Sequence, residues 1–331
     1  MVNLPYSTSL REVLLWGRSE KMKIHIMDAW VDRQMISDNF EVVNTPQEAD
    51  IILSNSFPPL DTPVNKLVYM TSEPPLCEPR ITWYNQFHKM PLVVKYAPSN
   101  FNEIPVSIDN KHGAEFPFEI CPIEPITRTD TTLTNRAVFF AGELGLEGGI
   151  DRPDCKNIRV LRRLLGVFLR DNLQGSTMIG RGWGKETSDP NGMVKILWDK
   201  SRANKQEEIA KSNCDFVLAL ENSMMRDYVT EKIGDGFTSD RVTLYLGCPN
   251  IEDHVPTNCF VDLRKWFNPT TKDFDFQGLL NYLKGMTQEE YDTILANARV
   301  FRRYSKEKFE ANQKDLTKRI ISRLKWLDSH K

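Results

Sequence analysis

The sequence predicts an α/β fold built from two Rossmann-like domains that face each other across a cleft. Three observations point there. Short apolar, β-branched runs bounded by turn residues recur through both halves. The chain has 331 residues, more than one average domain. A stretch rich in Pro and Thr, residues 116–134, has no helical period and reads as the linker between the halves. The expected division is 1–125 for an N-terminal α/β domain, 126–300 for a second Rossmann-like domain and 301–331 for a C-terminal basic helix.

In the first half, strands are expected at Met22–Met27, Asp50–Ser54, Lys66–Thr71 and Pro91–Tyr96. In the second half they are expected at Arg136–Ala141, Ser176–Ile179, Asp215–Leu220 and Val242–Leu246. Helices are expected between them. Cys155–Asp171 carries apolar residues at Ile158, Leu161, Leu164, Leu165 and Phe168, the spacing of one buried face. Gln206–Ser212 and Tyr228–Phe237 are two shorter helices. Strand–helix alternation of this kind builds parallel sheets, which bind ligands beyond the carboxyl ends of their strands. Residues from Thr287 onward form a helix without Gly or Pro, with ten basic and four acidic residues from Phe301 on. Its apolar stripe, Ile320, Ile321, Leu324 and Leu327, packs back across the domains; weak peripheral contact with an anionic membrane is the other expected use.

Composition excludes several classes. Lys+Arg 43 against Asp+Glu 45 gives a net charge of −2, too balanced for a chain whose main task is holding nucleic acid. No apolar run approaches the roughly 18 residues of a membrane helix. The first residues lack the basic and apolar regions of a secretory signal. The six cysteines are widely spaced with no CxxC pair, so reduced thiols and a cytoplasmic location are expected. No metal site is expected: the five histidines show no ligand spacing, and Asp151-Arg-Pro-Asp154 reads as the start of a helix. Gly180-Arg-Gly-Trp-Gly184 lacks the spacing of a dinucleotide fingerprint and reads as a turn.

The segment Phe216–Lys232 carries the chemistry. A buried strand ends at Leu220, leaving Glu221, Asn222 and Ser223 at its carboxyl edge. Asp227 is the expected N-cap of a helix beginning at Tyr228. On that helix Tyr228, Glu231 and Lys232 share one face, by i, i+3 and i, i+4 spacing. A phenol, a carboxylate and an ammonium beside a helix N-terminus suit a nucleoside diphosphate, the ammonium meeting phosphate and the carboxylate accepting from ribose hydroxyls. The alternative is an exposed helix face with a Glu–Lys pair. Trp30, at the end of the first strand, is the acceptor-side candidate.

Glu221-Asn-Ser, Tyr228-Val-Thr-Glu-Lys232 and Val242-Thr-Leu-Tyr-Leu-Gly-Cys-Pro249 together resemble the central motif of family 10 glycosyltransferases, the α-1,3/4-fucosyltransferases. That motif reads roughly F-x-L-x-F-E-N-S-x(4)-Y-V-T-E-K, then a helix, then I-P-I-Y-W-G-x-P. Lys66-Leu-Val-Tyr-Met-Thr-Ser-Glu-Pro74 is similar to the strand end on which the family places its proposed base, and Asn157-Ile-Arg159 to the helix start whose arginine contacts the donor diphosphate. The resemblance covers most of residues 20–265. It implies a GT-B-type fold and inverting transfer of L-fucose from GDP-β-L-fucose to a glycan hydroxyl. It further implies Glu73 as general base, Arg159 and Lys232 on the diphosphate, Asn222 and Glu231 on nucleotide or sugar hydroxyls, and Tyr228 beside the phosphates. No metal or other cofactor is expected beyond the donor. Leu220, Thr243 and Leu246 depart from the motif, and Gly234 and Gly236 suggest a looser donor-side helix. These departures leave open another nucleotide sugar; a non-catalytic glycan- or nucleotide-binding protein is the remaining alternative.

Overall fold

The computed structural model describes residues 21–28, 31–54, 62–71, 92–95, 126–140, 155–179, 194–195, 202–226 and 228–329. Two parallel sheets organise them. The first contains β1 (Lys23–Asp28), β2 (Glu41–Val43), β3 (Ile51–Ser54), β4 (Leu67–Thr71) and β5 (Leu92–Lys95), in the order β2-β1-β3-β4-β5. All four residues of β3 are buried, as a parallel strand covered on both faces requires. Helix α1 (Arg33–Asn39) follows β1. Asp32 caps it, its carboxylate accepting the Met35 N–H at 3.1 Å.

The second sheet contains β6 (Ala137–Phe140), β8 (Thr177–Ile179), β9 (Val194–Lys195), β10 (Phe216–Leu220), β12 (Val242–Leu246) and β13 (Phe260–Asp262). Every pair is parallel, in the order β13-β12-β10-β6-β8-β9. The chain moves outward one way from β6 and the other way from β10. The strand order therefore reverses between these two neighbours, and their carboxyl ends flank the crevice where such sheets hold ligands. A two-stranded antiparallel ribbon, β7 (Cys155–Asn157) with β11 (Ser223–Met225), closes over that end. It was not expected from the sequence, because three-residue strands have too few positions to show a period.

Helix α2 (Arg159–Asn172) starts four residues later than its apolar spacing suggests, since Cys155–Asn157 is taken by β7. Its buried face is also rotated. Leu161, Arg162, Leu165, Gly166 and Leu169 turn inward, whereas Leu164 is 52% exposed. Val160 and Leu164 instead line an open cleft of about 690 Å³ with Phe267, Phe274 and Phe276. Helices α3 (Arg202–Lys211) and α4 (Glu231–Thr238) are joined by an ion pair between Lys205 and Asp235. Burial raises the Asp235 carboxyl above its ordinary value, and Lys205 opposes that shift.

Gly236 gives α4 close packing rather than looseness. A Cβ there would stand 2.1 Å from Thr243 Oγ1 and 3.2 Å from the Arg241 carbonyl. Thr243 fills that space and donates to the Ile233 carbonyl at 3.1 Å. Gly236→Ala is expected to destabilise the protein by about 1–3 kcal/mol, the usual cost of overpacking. Denaturant unfolding measures this; an unchanged midpoint would show that helix and strand separate freely.

The described part of the expected linker, residues 126–134, is docked on the second sheet. Ile126 N–H donates to the Thr238 carbonyl, and Arg128 N–H to Asp240. The buried Asp215 carboxylate accepts from the Thr134 N–H and hydroxyl at 2.8 and 2.7 Å, and pairs with Arg128 at 3.4 Å. Asp215 lies at the amino end of β10, opposite the reversal point, so its burial serves the fold.

After α5 (Phe276–Gly285), a single helix, α6 (Gln288–Ser329), runs 42 residues, about 60 Å at 1.5 Å per residue. It is unbroken at residue 301. Its first half buries Tyr291, Leu295, Ala298 and Phe301 against the second domain. Arg299 and Arg302 pair with Asp240 on the way. Its second half buries Leu316, Ile320, Ile321 and Leu324 with Met22, Ile24 and Val68 of the first domain. The apolar stripe is thus spent on the first sheet, while Lys314, Lys318 and Lys325 are exposed. Thr317, fully buried, accepts the Asp32 N–H at 2.9 Å. Among the described residues no helix is long and apolar enough to cross a membrane. Cys214, Cys248 and Cys259 are buried thiols. Burial raises the Cys214 thiol and pushes that of Cys259 up to about 11, so neither is reactive.

Candidate functional site

Two segments meet where the strand order reverses. One follows β6 and enters α2; the other follows β10 and enters α4. The β7–β11 ribbon holds them together, pairing Asn157 with Ser223, and the Ile158 N–H donates to the Asn222 carbonyl at 3.3 Å. Arg159 therefore opens α2 next to the Asn222 loop. Helices α2 and α4 both begin beside this corner, which sets the positive ends of their dipoles there.

The second segment differs from expectation in its first turn. Helix α4 begins at Glu231, and Thr230 is its N-cap, with the hydroxyl accepting the Lys232 N–H at 3.4 Å. Tyr228 lies before the helix, 2% exposed, so it does not share a helical face with Glu231 and Lys232. The expected cap, Asp227, lies outside the described residues. The cause is Glu221. This carboxylate is fully buried at the end of β10 and accepts the Thr230 N–H and hydroxyl, each at 2.7 Å. That double grip holds Thr230 in the extended backbone of a cap, and the helix starts at 231. Thr is itself a preferred cap, and the Thr-Glu-Lys order contained that signal.

Lys232 projects back from the first turn of α4. Its Nζ lies 2.8 Å from Thr230 Oγ1, 3.4 Å from Glu221 Oε2 and 3.5 Å from Glu231 Oε1. Glu231 is partly exposed, the carboxylate of the group that faces outward. Close packing extends to Gly247, where a Cβ would stand 2.3 Å from Glu221 Cγ and 2.7 Å from the Tyr245 hydroxyl.

One residue of the site was not foreseen. Arg162, on the inner face of α2, is 6% exposed and donates to Asn222 Oδ1. Its guanidinium carbon stands 6.0 Å from the centre of the Phe139 ring. Burial lowers its pKa; Glu221, Tyr228 and Glu231 raise it and Arg159 lowers it further, so all four stand within its electrostatic reach. Guanidinium remains charged under such shifts. The signal was present: Arg162 follows Ile158 by four residues and precedes Leu165 by three, a charge in an apolar stripe.

The structure thus brings together Arg159, Asn222, Tyr228, Glu231 and Lys232, and adds Arg162. Three cations converge with two helix N-termini, and one of the two carboxylates is already consumed by Thr230 and Lys232. Such a corner has the chemistry to hold a multiply charged anion. Glu73 and Trp30 lie outside the described residues. Among the described residues no three His, Cys, Asp or Glu side chains come together as metal ligands.

Comparison with known families meets this geometry. Residues 182–315 match the family model described as glycosyltransferase family 10 (fucosyltransferase), C-terminal. This stretch is similar to the C-terminal domain of that family. It contains Asn222, Tyr228, Glu231 and Lys232 and ends within α6; Arg159 and Glu73 lie outside it. An alpha-(1,4)-fucosyltransferase of Arabidopsis thaliana is 40% identical over 57 residues, which is 17% of this chain and 14% of that one. A GDP-fucose protein O-fucosyltransferase 3 of Xenopus laevis is 44% identical over 43 residues, 13% of this chain and 9% of that one. The chain thus matches less than a fifth of the length of these curated relatives. Among solved structures, an alpha-glucosyltransferase in complex with UDP-glucose and DNA superposes with a TM-score of 0.50. It covers 88% of this chain and 99% of that one at 12% identity, a likeness of fold alone. The GT-B-type fold outlasts the sequence likeness.

Proposed function

We propose that the protein transfers L-fucose from GDP-β-L-fucose to a hydroxyl of a glycan acceptor, with inversion at the anomeric carbon. The observation that carries this reading is the convergence of Arg159, Asn222, Glu231 and Lys232 on the strand-order reversal, the last three of them within the stretch that matches the family 10 model. The donor assignment draws on the names of the fucosyltransferase relatives.

The acceptor oxygen attacks the anomeric carbon as the bond from that carbon to the diphosphate breaks. The sugar passes through an oxocarbenium-like state. The acceptor proton goes to the Glu73 carboxylate, and the electron pair of the broken bond leaves with GDP. Arg159 and Lys232, with the two helix N-termini, stabilise the charge that accumulates on the diphosphate. Glu231 accepts from ribose hydroxyls, Tyr228 packs beside the phosphates, and Trp30 offers its ring to the acceptor sugar. No step calls for a metal ion.

A panel of GDP- and UDP-sugars, offered with glycan acceptors in the presence of EDTA, tests this directly. Fucose transfer from GDP-fucose, undiminished by the chelator, is the expected result. Preferential transfer from a UDP-sugar would replace the donor assignment, and loss of turnover restored only by manganese would replace the metal-free chemistry.

A further inference from the structure

We propose that Arg162 is a positioning residue that fixes the Asn222 amide as a hydrogen-bond donor toward the diphosphate of the nucleotide sugar. This rests on the fucosyl-transfer reading above and adds a residue to it.

A guanidinium carries donors only, so the Asn222 atom that faces it is the carbonyl oxygen. The two N–H groups of that amide are then turned away from Arg162. Asn222 becomes a donor toward anything seated beyond the end of β10. That suits phosphoryl oxygen.

Packing alone does not account for the arginine. The neighbouring inward positions of α2 are Leu161, Leu165 and Leu169, and a leucine at 162 would continue them. Instead the side chain is more than nine-tenths buried, and its Nε has no hydrogen-bond partner among the described residues. An unsatisfied buried donor on a charged group is costly to keep. The Asn222 carbonyl, which accepts the Ile158 N–H, anchors the loop backbone, so Arg162 needs only to set the side chain. Its charge also stands within reach of Glu221, Tyr228 and Glu231, all members of the same corner.

A double-mutant cycle tests this: Arg162→Met, Asn222→Ala and the double variant, with GDP affinity by calorimetry, donor KM and kcat, and melting temperature. Each single variant is expected to weaken GDP binding about tenfold, roughly one charged hydrogen bond. The double variant is expected to bind no more weakly than either single one, because both remove the same interaction. Donor KM rises while acceptor KM stays. Arg162→Lys, whose ammonium still donates to the amide oxygen, is expected to recover affinity to within about threefold of wild type. Additive losses, or a lowered melting temperature with GDP affinity unchanged, would overturn the positioning role and leave the fucosyl-transfer reading standing. Wild-type protein that binds no GDP would remove both.

Discussion

Glu221→Ala is expected to cost about 3–5 kcal/mol of stability and to weaken nucleotide binding in the same variant, as removal of one partner from a buried ion pair usually does. The carboxylate is wholly buried and nothing near it substitutes for it. Its loss leaves the Thr230 N–H and hydroxyl without their acceptor, 2.7 Å away in each case, and leaves Lys232 Nζ without the oxygen at 3.4 Å. The N-cap of α4 then loses its anchor, and the first turn that carries Glu231 and Lys232 is free to shift. Glu221→Gln keeps the volume and one acceptor oxygen, and is expected to cost less than half as much. Urea unfolding beside GDP titration checks both effects. A loss below about 1 kcal/mol in the alanine variant would show that the grip on Thr230 does not set the helix start.

Glu73→Gln is expected to lower kcat by about 10²–10⁴-fold while leaving GDP affinity unchanged. An acceptor hydroxyl is a poor nucleophile until its proton has a destination, and an amide offers none. The donor anchors belong to the segments after β6 and β10, distant in sequence from residue 73, so removing the base leaves them intact. Fucose transfer measured beside GDP calorimetry separates the two quantities. Turnover at the wild-type rate would remove Glu73 from the mechanism and direct attention to another acid of the first domain.

The parts of the fold legible in the sequence are those where one physical signal dominates. Phe216–Leu220 is a continuous apolar run and Val242–Leu246 is apolar but for Thr243, and both are central parallel strands buried at every residue. Elements decided by long-range partners were not legible. The strands Cys155–Asn157 and Ser223–Met225 exist because they pair with each other, across a separation that local spacing does not report. The same holds at the site. Asn222, Glu231 and Lys232 were readable from residue type and order, but the start of their helix depended on Glu221 reaching nine residues forward to Thr230. Arg162 escaped notice because a helical stripe was read for its apolar members only. Gly236 looked like a source of looseness until Thr243 was seen occupying the room a side chain would need.

The bridging helix has a consequence for how the protein is made. Asp32 and Thr317 are 285 residues apart and share a hydrogen bond, and Leu324 completes a core begun at Met22. A ribosome delivers the chain from its amino end, so the first sheet waits, with one greasy side uncovered, until Leu316–Leu324 have emerged. Premature termination upstream of Leu316 would therefore damage the domain that holds Met22 and Val68.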